Sequence, residues 1–290
     1  LLQLLYIPTL LLLFSTCILP ASYAGTYMAK FCNTKVAWYF MPIIIPTWMI
    51  SFSFVIIGLK WMIVGRYIEE IVSIPSTAYV QWWCIDRAME LWEFWIGRFV
   101  IGTPFMNLFY RLLGSKVEWS ANFNGYIREF DLVTVGQNAS VNSSLHCRKF
   151  GVWKKNDIGP TLRFRPVVLG NGSCVKNIVS PGVSIGHGAI VEKISMVPEG
   201  GIVPERTRVA GNPSIVIETS PPSESAVEYD SKRWWKIGML QLSWLILELH
   251  FLFATALSGV FVYNNSSIIQ DRISTTFPWN GRYEPILRWS

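Results

Sequence analysis

Four aliphatic residues, spaced six positions apart, constrain the fold of this chain more than any other feature. Val179, Ile185, Val191 and Val197 follow one another without interruption, with glycines between them. In a triangular β-helix each flat side uses about six residues, and three sides complete one coil. The aliphatic residue points inward and stacks on its equivalents, while glycine permits the sharp corners between sides. The spacing therefore predicts a parallel β-helix.

Two irregularities interrupt this repeat within the predicted β-helix domain, residues 114–216. Val175 and Val179 are four positions apart, so about two residues are missing from one side of a coil. Between His146 and Arg165 no six-residue repeat is visible. We interpret residues 147–157 as a loop that protrudes from the β-helix.

The segment that closes the repeat resembles a known superfamily. Residues 200–214 read GGIVPERTRVAGNPS, and such an ending after the last coil is typical of the hexapeptide-repeat superfamily. The resemblance implies a left-handed parallel β-helix. It also implies acyltransferase activity, because the superfamily includes many acyltransferases, and in several of them a protruding loop carries the active site.

Three apolar stretches, residues 1–24, 36–59 and 237–262, predict membrane-spanning helices on either side of the β-helix. Only 15% of the residues are charged, whereas soluble domains usually carry about 25%. Each stretch is long enough to cross a bilayer. The first could instead be a signal peptide, since Ala21 to Ala24 resembles a cleavage site, but it lacks a basic region before it. The predicted organisation is two spans with a short loop at 1–64, an interfacial helical segment at 65–113, the β-helix at 114–216, a linker at 217–236, a third span at 237–263, and at 264–290 the truncated tail of a longer polypeptide.

The segment before the β-helix carries an amphipathic pattern. Its apolar residues recur at spacings of three and four, and acidic side chains such as Asp86 and Glu93 fall off that stripe. With so many tryptophans, the helix is predicted to lie in the membrane interface. The alternative is a helix packed on the β-domain. The stripe comprises Trp82, Ile85, Met89, Trp92, Ile96 and Phe99.

Basic residues predict the orientation of the spans. They are more numerous beside the β-helix domain than in the short loop that holds Lys30 and Lys35. The positive-inside rule therefore places residues 65–235 in the cytoplasm. The net charge of +6 suits contact with anionic lipid headgroups. The sequence thus predicts an integral membrane protein whose β-helix domain is cytoplasmic.

Composition also argues against several other classes of protein. No basic stripe interleaved with aromatic residues is present, so nucleic acid is not an expected partner. The five cysteines include no CxxC pair, which predicts neither a disulfide framework nor a zinc site. We expect no bound metal.

Motifs in and before the first coils resemble a narrower family. Over roughly residues 77–263 the chain resembles the C-terminal membrane region of ε-poly-lysine-synthetase-like nonribosomal peptide synthetases. The resemblance implies transfer of an acyl or aminoacyl group from a carrier thioester to an amine or hydroxyl. It implies carrier and adenylation domains of the same polypeptide as partners, a phosphopantetheine-carried donor, and no directly bound cofactor. The motifs are Gly102-Thr103-Pro104, residues 110–117, residues 130–136 and Leu145-His146.

His146 is the strongest candidate for catalysis. It follows a coil, opens the irregular segment and matches the histidine of the narrower family. A neutral imidazole there can take a proton from an amine or hydroxyl that attacks a thioester. Asp131, on an adjacent side of the β-helix, is expected to fix the tautomer of that histidine. Arg148 is expected to bind a phosphate of the pantetheine arm or a carboxylate of the substrate.

Other polar residues are weaker candidates. Cys147 lies beside His146, but hexapeptide acyltransferases normally use direct transfer, so a nucleophilic thiol is not favoured. His187 occupies a variable corner of a coil, where a structural or exposed role is expected. Glu248 and His250 lie within the third apolar stretch and point to different faces of a helix. We interpret them as partners of neighbouring helices rather than as a proton path.

A second hypothesis assigns no catalysis to the chain. The β-helix would be an inactive scaffold that anchors or oligomerises a multidomain synthetase, as a homotrimer through the β-helix, and the residues missing near Val175 would reflect decay of an active coil. A soluble acetyltransferase is less favoured because it leaves three apolar stretches unexplained. A transporter is less favoured still, because the spans show no inverted repeat.

Overall fold

A computed structural model describes residues 2–17, 19, 23, 27, 30, 34–74, 76–151, 160–219 and 231–264. The chain forms two compact units, residues 1–242 and 243–290, and the candidate site around His146 lies in the first. The helices are α1 (Leu2–Thr16), α2 (Thr34–Ile63), α3 (Thr77–Trp92), α4 (Arg98–Val100), α5 (Pro104–Leu113) and α6 (Ser231–Asn264), with a π-helical turn at Glu93–Gly97 and a 3₁₀ turn at Phe130–Leu132. The strands are β1 (Ile71–Ser73), β2 (Lys116–Val117), β3 (Asn122–Phe123), β4 (Val133–Val135), β5 (Ser140–Val141), β6 (Arg148–Gly151), β7 (Thr161–Phe164), β8 (Val167–Leu169), β9 (Cys174–Val175), β10 (Ser184–Ile185), β11 (Ile190–Val191), β12 (Ile202–Val203), β13 (Thr207–Ala210) and β14 (Ile215–Thr219).

Short parallel strands stack into a β-solenoid. One side is the sheet β2-β4-β8-β10-β12, and the second is β3-β5-β9-β11-β13, to which β14 adds an antiparallel edge strand. The third side is marked by parallel bridges that join Leu145 to Ile127 and to Val179. The prediction of a parallel β-helix is therefore confirmed, with five coils among the described residues.

The aliphatic repeat forms the interior of the solenoid. The inward-pointing residues of each side lie directly over their equivalents in the next coil, and every one is at most 3% exposed. Burying such side chains away from water is the main favourable contribution to folding. The columns are Val117, Val135, Leu169, Ile185 and Val203; Phe123, Val141, Val175, Val191 and Val209; and Ile127, Leu145 and Val179.

The register locates both predicted irregularities. Val117 pairs with Val135 eighteen positions later, which is one regular coil. The next pairing, Val135 with Leu169, spans 34 positions, and the following one, Leu169 with Ile185, spans 16. The coil that contains Val175 is therefore two residues short, as predicted, and the coil before it contains a 16-residue insertion.

The insertion is a β-hairpin arm and not the loop that we predicted for residues 147–157. Strand β6 pairs antiparallel with β7, and β7 pairs antiparallel with β1 from the segment that precedes α3. The prediction was wrong at Arg148–Gly151, because this segment forms a strand only by pairing with β7, and its own sequence does not indicate that pairing. Residues 152–157 lie outside the described residues.

Helix α5 closes one end of the solenoid. Tyr110 and Leu113 are completely buried against the first coil. The Tyr110 hydroxyl accepts a hydrogen bond from the backbone N–H of Ile127 at 3.1 Å, and Asn107 donates to the carbonyl of Ala121 at 2.7 Å. These bonds satisfy backbone groups that the first coil would otherwise leave unpaired.

Helix α3 packs on other parts of the protein through its apolar stripe. The stripe residues from Trp82 to Ile96 are at most 5% exposed, and only Phe99, after the π-helical turn, is exposed. Trp92 donates to Ser53 of α2 at 2.8 Å and stacks on Phe109 with ring centres 3.9 Å apart. A stripe this deeply buried cannot be the face that α3 presents to lipid.

The predicted membrane spans are only partly tested. Among the described residues, Pro46–Ile63 within α2 is long and apolar enough to cross a membrane, and most of this segment is not buried by other parts of the protein. A core helix of a soluble protein can pass the same test of length and composition. The first stretch contains the shorter apolar helix α1, and the third lies within α6. Residues 217–219 of the predicted linker belong to β14, and residues 231–236 belong to α6.

Shortening one inward side chain tests the packing of the solenoid. We expect Ile185→Val to lower the free energy of unfolding by about 0.5–1.5 kcal/mol, because it leaves a small cavity that the stacked coils cannot close. Ile185 is 1% exposed. The matched control is Ser184→Ala on the outward face of the same strand. If Ile185→Val and Ser184→Ala lowered the free energy of unfolding equally in denaturant, the inward orientation of Ile185 would be contradicted.

Candidate functional site

His146 lies where the third side of the solenoid ends and the arm begins. Leu145 points into the core and is completely buried, which fixes the backbone beside His146. The imidazole is half-buried, and its Nδ1 atom is buried with no hydrogen-bond partner in the described part of the chain. Burial, and secondarily the guanidinium of Arg148, holds the pKa of His146 below its usual value. The neutral imidazole, which can accept a proton, therefore predominates at neutral pH.

Glu129 joins three elements behind His146. Its completely buried carboxylate accepts hydrogen bonds from the Nε1 atom of Trp82 in α3 at 3.1 Å and from the backbone N–H of Cys147 at 2.8 Å. It also accepts from the guanidinium of Arg148 at 2.7 Å. Because a buried carboxylate is stable only when paired and hydrogen-bonded, this cluster fixes the start of the arm against α3.

Two further carboxylates of α3 and the adjoining π-helical turn extend the charged cluster. Asp86 lies 3.5 Å from Arg128 and 3.4 Å from Arg148, and its side chain is 3% exposed. The Oε2 atom of Glu93 lies 2.8 Å from Arg128. Together with Glu129, these residues form what we call the buried charge network: Asp86, Glu93, Arg128, Glu129 and Arg148.

Glu93 is the member of the network whose protonation changes near neutral pH. Burial raises the pKa of Glu93 to about 7, although Arg128 acts in the opposite direction. Its Oε1 atom is buried without a hydrogen-bond partner among the described residues. The π-helical turn begins at this residue, and such turns frequently occur at functional sites.

Asp131 has a different environment from the predicted one. Its carboxylate lies 2.9 Å from the Nζ atom of Lys60 and accepts a hydrogen bond from the backbone N–H of Tyr67 at 3.0 Å. No hydrogen bond joins Asp131 to His146 among the described residues. The carboxylates that act electrostatically on His146 are instead Glu129 and Asp86. The contacts of Asp131 indicate a structural link between the end of α2 and the second coil.

Arg148 and Cys147 are both deep in the structure. The Arg148 side chain is 18% exposed and is held by Glu129 and Asp86, with its guanidinium over the ring of Trp82 at 5.0 Å. Substrate binding by Arg148 therefore stays a prediction. Burial, with a smaller contribution from Glu129, raises the pKa of the Cys147 thiol well above its usual value. A thiol in that state is a poor nucleophile.

The other two histidines are not part of the buried charge network. His187 is exposed at a corner of the solenoid, where its carbonyl accepts a hydrogen bond from Arg206. Glu248 is exposed on α6, and the side chain of His250 lies outside the described residues.

Sequence reasoning missed the acidic half of the network. We predicted that Asp86 and Glu93 lie off the buried stripe, yet their side chains are 3% and 11% exposed. The two residues are seven positions apart and share a helix face with Trp82 and Met89. That spacing could have indicated that both residues are buried, but we expected charged side chains to be exposed.

Titration of Glu93 should make stability depend on pH. The pKa of the Glu93 carboxyl group is about 7 in the folded protein, whereas it is about 4.3 in the unfolded chain. Between these values the folded state binds more protons, so the free energy of unfolding falls as pH rises, by an amount on the order of 1–3 kcal/mol. We expect Glu93→Gln to flatten this dependence in thermal unfolding.

The matched control for that experiment is Glu90→Gln on the same helix. Glu90 is 46% exposed and pairs with Arg87, so its charge is largely solvated. Parallel pH profiles for wild type, Glu93→Gln and Glu90→Gln would contradict a raised pKa at Glu93.

No protein-family model matches the chain, and no curated protein matches it. Several solved structures are similar. A hexapeptide-repeat-containing acetyltransferase from Vibrio cholerae is 14% identical over 60% of this chain and 93% of its own length, with a TM-score of 0.30. A maltose O-acetyltransferase from Clostridium difficile is 13% identical over 60% of this chain and 89% of its own, with a TM-score of 0.30.

A third similar structure is an N-acyltransferase from Bacillus cereus in complex with dTDP-4-amino-4,6-dideoxyglucose and coenzyme A. It is 17% identical over 43% of this chain, with a TM-score of 0.29, and this chain spans 64% of its length. At such identities and TM-scores, these likenesses add nothing to the β-solenoid that the strand register already establishes.

Proposed function

We propose that the chain is an acyltransferase in which His146 acts as general base and then general acid. The observation that carries this proposal is the imidazole itself. It is neutral at neutral pH, its Nδ1 atom is buried without a partner in the described chain, and it lies at the start of the arm beside Arg148. A buried nitrogen without a partner costs free energy, and such groups in native proteins call for an explanation such as a catalytic role.

The proposed reaction needs no covalent enzyme intermediate. The acceptor nitrogen or oxygen forms a bond to the thioester carbonyl carbon while its proton passes to His146. The C–S bond then breaks, and His146 returns the proton to the leaving thiolate. The guanidiniums of Arg128 and Arg148 favour the neutral imidazole, whereas the carboxylates of Glu129 and Asp86 act in the opposite direction and favour the imidazolium that forms when His146 takes the proton.

The donor and setting follow from the family resemblance. We propose that the acyl or aminoacyl group is carried on phosphopantetheine of a carrier domain in the same polypeptide. We also propose that the solenoid is left-handed and lies on the cytoplasmic side of a membrane crossed by the apolar helices. Coenzyme A offers the same thioester chemistry, so it is the competing donor.

Single-turnover transfer by the full chain in mild detergent tests this proposal. The donor is an acyl group loaded on a carrier domain or on coenzyme A, and the acceptor is a primary amine or an alcohol. Transfer above the uncatalysed rate is expected with at least one donor, and the faster donor identifies the carrier. No acceleration with either donor, from a folded protein, would overturn the proposal.

Two observations favour the inactive scaffold as a second candidate. The buried charge network satisfies most of its own groups, with Arg128 and Arg148 committed to carboxylates. The edge strand β14 also exposes Ile215, Val216 and Ile217 at 65%, 49% and 54%. Such a strand suits contact with further copies, including the homotrimer that the sequence suggests. A folded, oligomeric but inactive protein would support this candidate.

A further inference from the structure

A phosphate-bearing donor needs a cation other than Arg148, if the proposed function is correct. The Arg148 guanidinium is already paired with Glu129 at 2.7 Å and with Asp86 at 3.4 Å. Its side chain packs over Trp82 and is 18% exposed. Binding a phosphate there would leave a carboxylate buried and unpaired, which is costly.

The opposite face of the arm carries other cations. Lys149 and Arg163 are directly paired in the β6–β7 register, so their side chains project from the same face. Because successive side chains of a strand project to opposite faces, Arg148 lies on the other face of the arm. The Nζ atom of Lys149 lies 3.0 Å from Glu199, and Arg163 lies 3.3 Å from the same carboxylate.

Arg165 is held against two glycines of the solenoid. Gly182 and Gly200 stand one coil apart at the same corner, with φ of +77° and +71°. A Cβ atom on either would come within 2.8 Å of the Arg165 guanidinium, which would have to shift to make room for it. Arg165 is thereby positioned 3.9 Å from Glu199.

The cluster remains open to a ligand. Side-chain exposure is 50% for Lys149, 30% for Arg163 and 28% for Arg165. Glu199 contacts all three cations, and Glu69 lies 3.5 Å from Arg165. The sequence of the arm, residues 148–165, holds six basic residues and one acidic residue. Guanidinium and ammonium groups in such surplus attract phosphate.

The cluster is close to His146 along the arm. The backbone N–H of Arg165 donates to the carbonyl of Cys147 at 2.8 Å, and Cys147 directly follows His146. One short stretch of backbone therefore supports the histidine and the three cations.

We propose that Lys149, Arg163 and Arg165 form a phosphate-binding site at the base of the arm. Its ligand is the phosphate group of the thioester donor, which it holds while the thioester reaches His146. This inference rests on the proposed function for its ligand, but the site itself can be tested by binding alone.

The binding test compares 4′-phosphopantetheine with pantetheine, which lacks the phosphate. The wild-type chain in detergent should bind the phosphorylated compound at least about tenfold more tightly, as expected for charge-assisted contacts. Lys149→Gln and Arg163→Gln should each remove most of this preference. Lys193→Gln, the same charge change at an exposed position of the solenoid, should keep it. Equal affinities for the two compounds in wild type would overturn the site.

A kinetic test separates failure of this site from failure of the proposed function. An acyl-pantetheine donor and its phosphorylated form are compared in single-turnover transfer. The arm variants should be slower only with the phosphorylated donor, by about tenfold, whereas His146→Ala should be slower with both. Equal slowing of the arm variants with both donors would overturn the phosphate role. No transfer in any protein would remove the proposed function, and the binding test would still decide the site.

Lipid headgroups carry the same phosphate chemistry, and a third measurement distinguishes them. Vesicles of phosphatidylcholine with phosphatidylglycerol are added to the wild-type chain and to Lys149→Gln. Vesicle binding that depends on Lys149 and is not displaced by 4′-phosphopantetheine would assign the cluster to a membrane surface and overturn the donor site.

Discussion

His146→Ala should slow single-turnover acyl transfer by about a hundredfold or more while the protein remains folded. General acid–base catalysis by a positioned side chain typically contributes about 10²–10⁴-fold. Alanine leaves the backbone in place, because Leu145 and the Cys147–Glu129 hydrogen bond hold it on both sides. The measurement is the rate constant with saturating donor and acceptor, with folding checked by circular dichroism.

His187→Ala is the matched control, since it removes the same side chain from an exposed corner of the same solenoid. It should leave the rate constant unchanged. If His146→Ala transfers at the wild-type rate, the histidine has no part in the mechanism. A variant that fails to fold is resolved by His146→Gln, which keeps the volume of the side chain but accepts no proton.

The pH dependence of the wild-type rate gives a second view of the same residue. Transfer requires the neutral imidazole, so it should be present above the pKa of His146 and be lost as pH falls through it. Burial and Arg148 hold that pKa below the usual value of about 6.5. The acid limb should therefore have its midpoint below about 6.5, and a midpoint above that value would contradict a buried general base.

The solenoid was predictable because its information is local. Every sixth position, such as Ile185 or Val191, must be aliphatic because it points into the core. The glycines mark corners that need unusual backbone angles. The short coil near Val175 was visible for the same reason. The arm was not, because β6 pairs with β7, and β7 pairs in turn with β1, some ninety positions earlier in the sequence.

The site was less predictable because burial of charge is a tertiary property. His146 could be selected from its position after a coil. Its acidic electrostatic partners could not, because Asp86 and Glu129 are ordinary acidic residues until α3 packs on the solenoid. Asp131 was assigned to His146 from adjacency of two sides, and the structure gives its carboxylate to Lys60 instead. Lys60 lies in an apolar helix with no sequence signal to link it to the second coil.

Removing the charge of Asp131 should destabilise the protein more than any other single change discussed here. Lys60 is completely buried, and its ammonium lies 2.9 Å from Asp131. Asp131→Asn keeps an oxygen that can accept the hydrogen bond from Tyr67 but leaves a buried cation without its counter-charge. Breaking a buried ion pair in this way costs about 3–5 kcal/mol. Equilibrium unfolding of the full chain in mild detergent measures the loss.

The double variant Lys60→Met/Asp131→Asn separates the ion pair from other causes. Methionine fills a similar volume without charge, so most of the lost stability should return, because replacing both partners of a buried pair is often neutral. A double variant as unstable as Asp131→Asn would show that the carboxylate acts through contacts other than Lys60.

The same variants decide between the two roles of Asp131. A structural link predicts that Lys60→Met/Asp131→Asn transfers acyl groups at nearly the wild-type rate once folded. An orienting partner of His146 predicts a slow rate even when stability is restored, because the tautomer of the imidazole would no longer be fixed. Since Asp131 contacts Lys60 and Tyr67, we expect stability to change and the rate constant to stay the same.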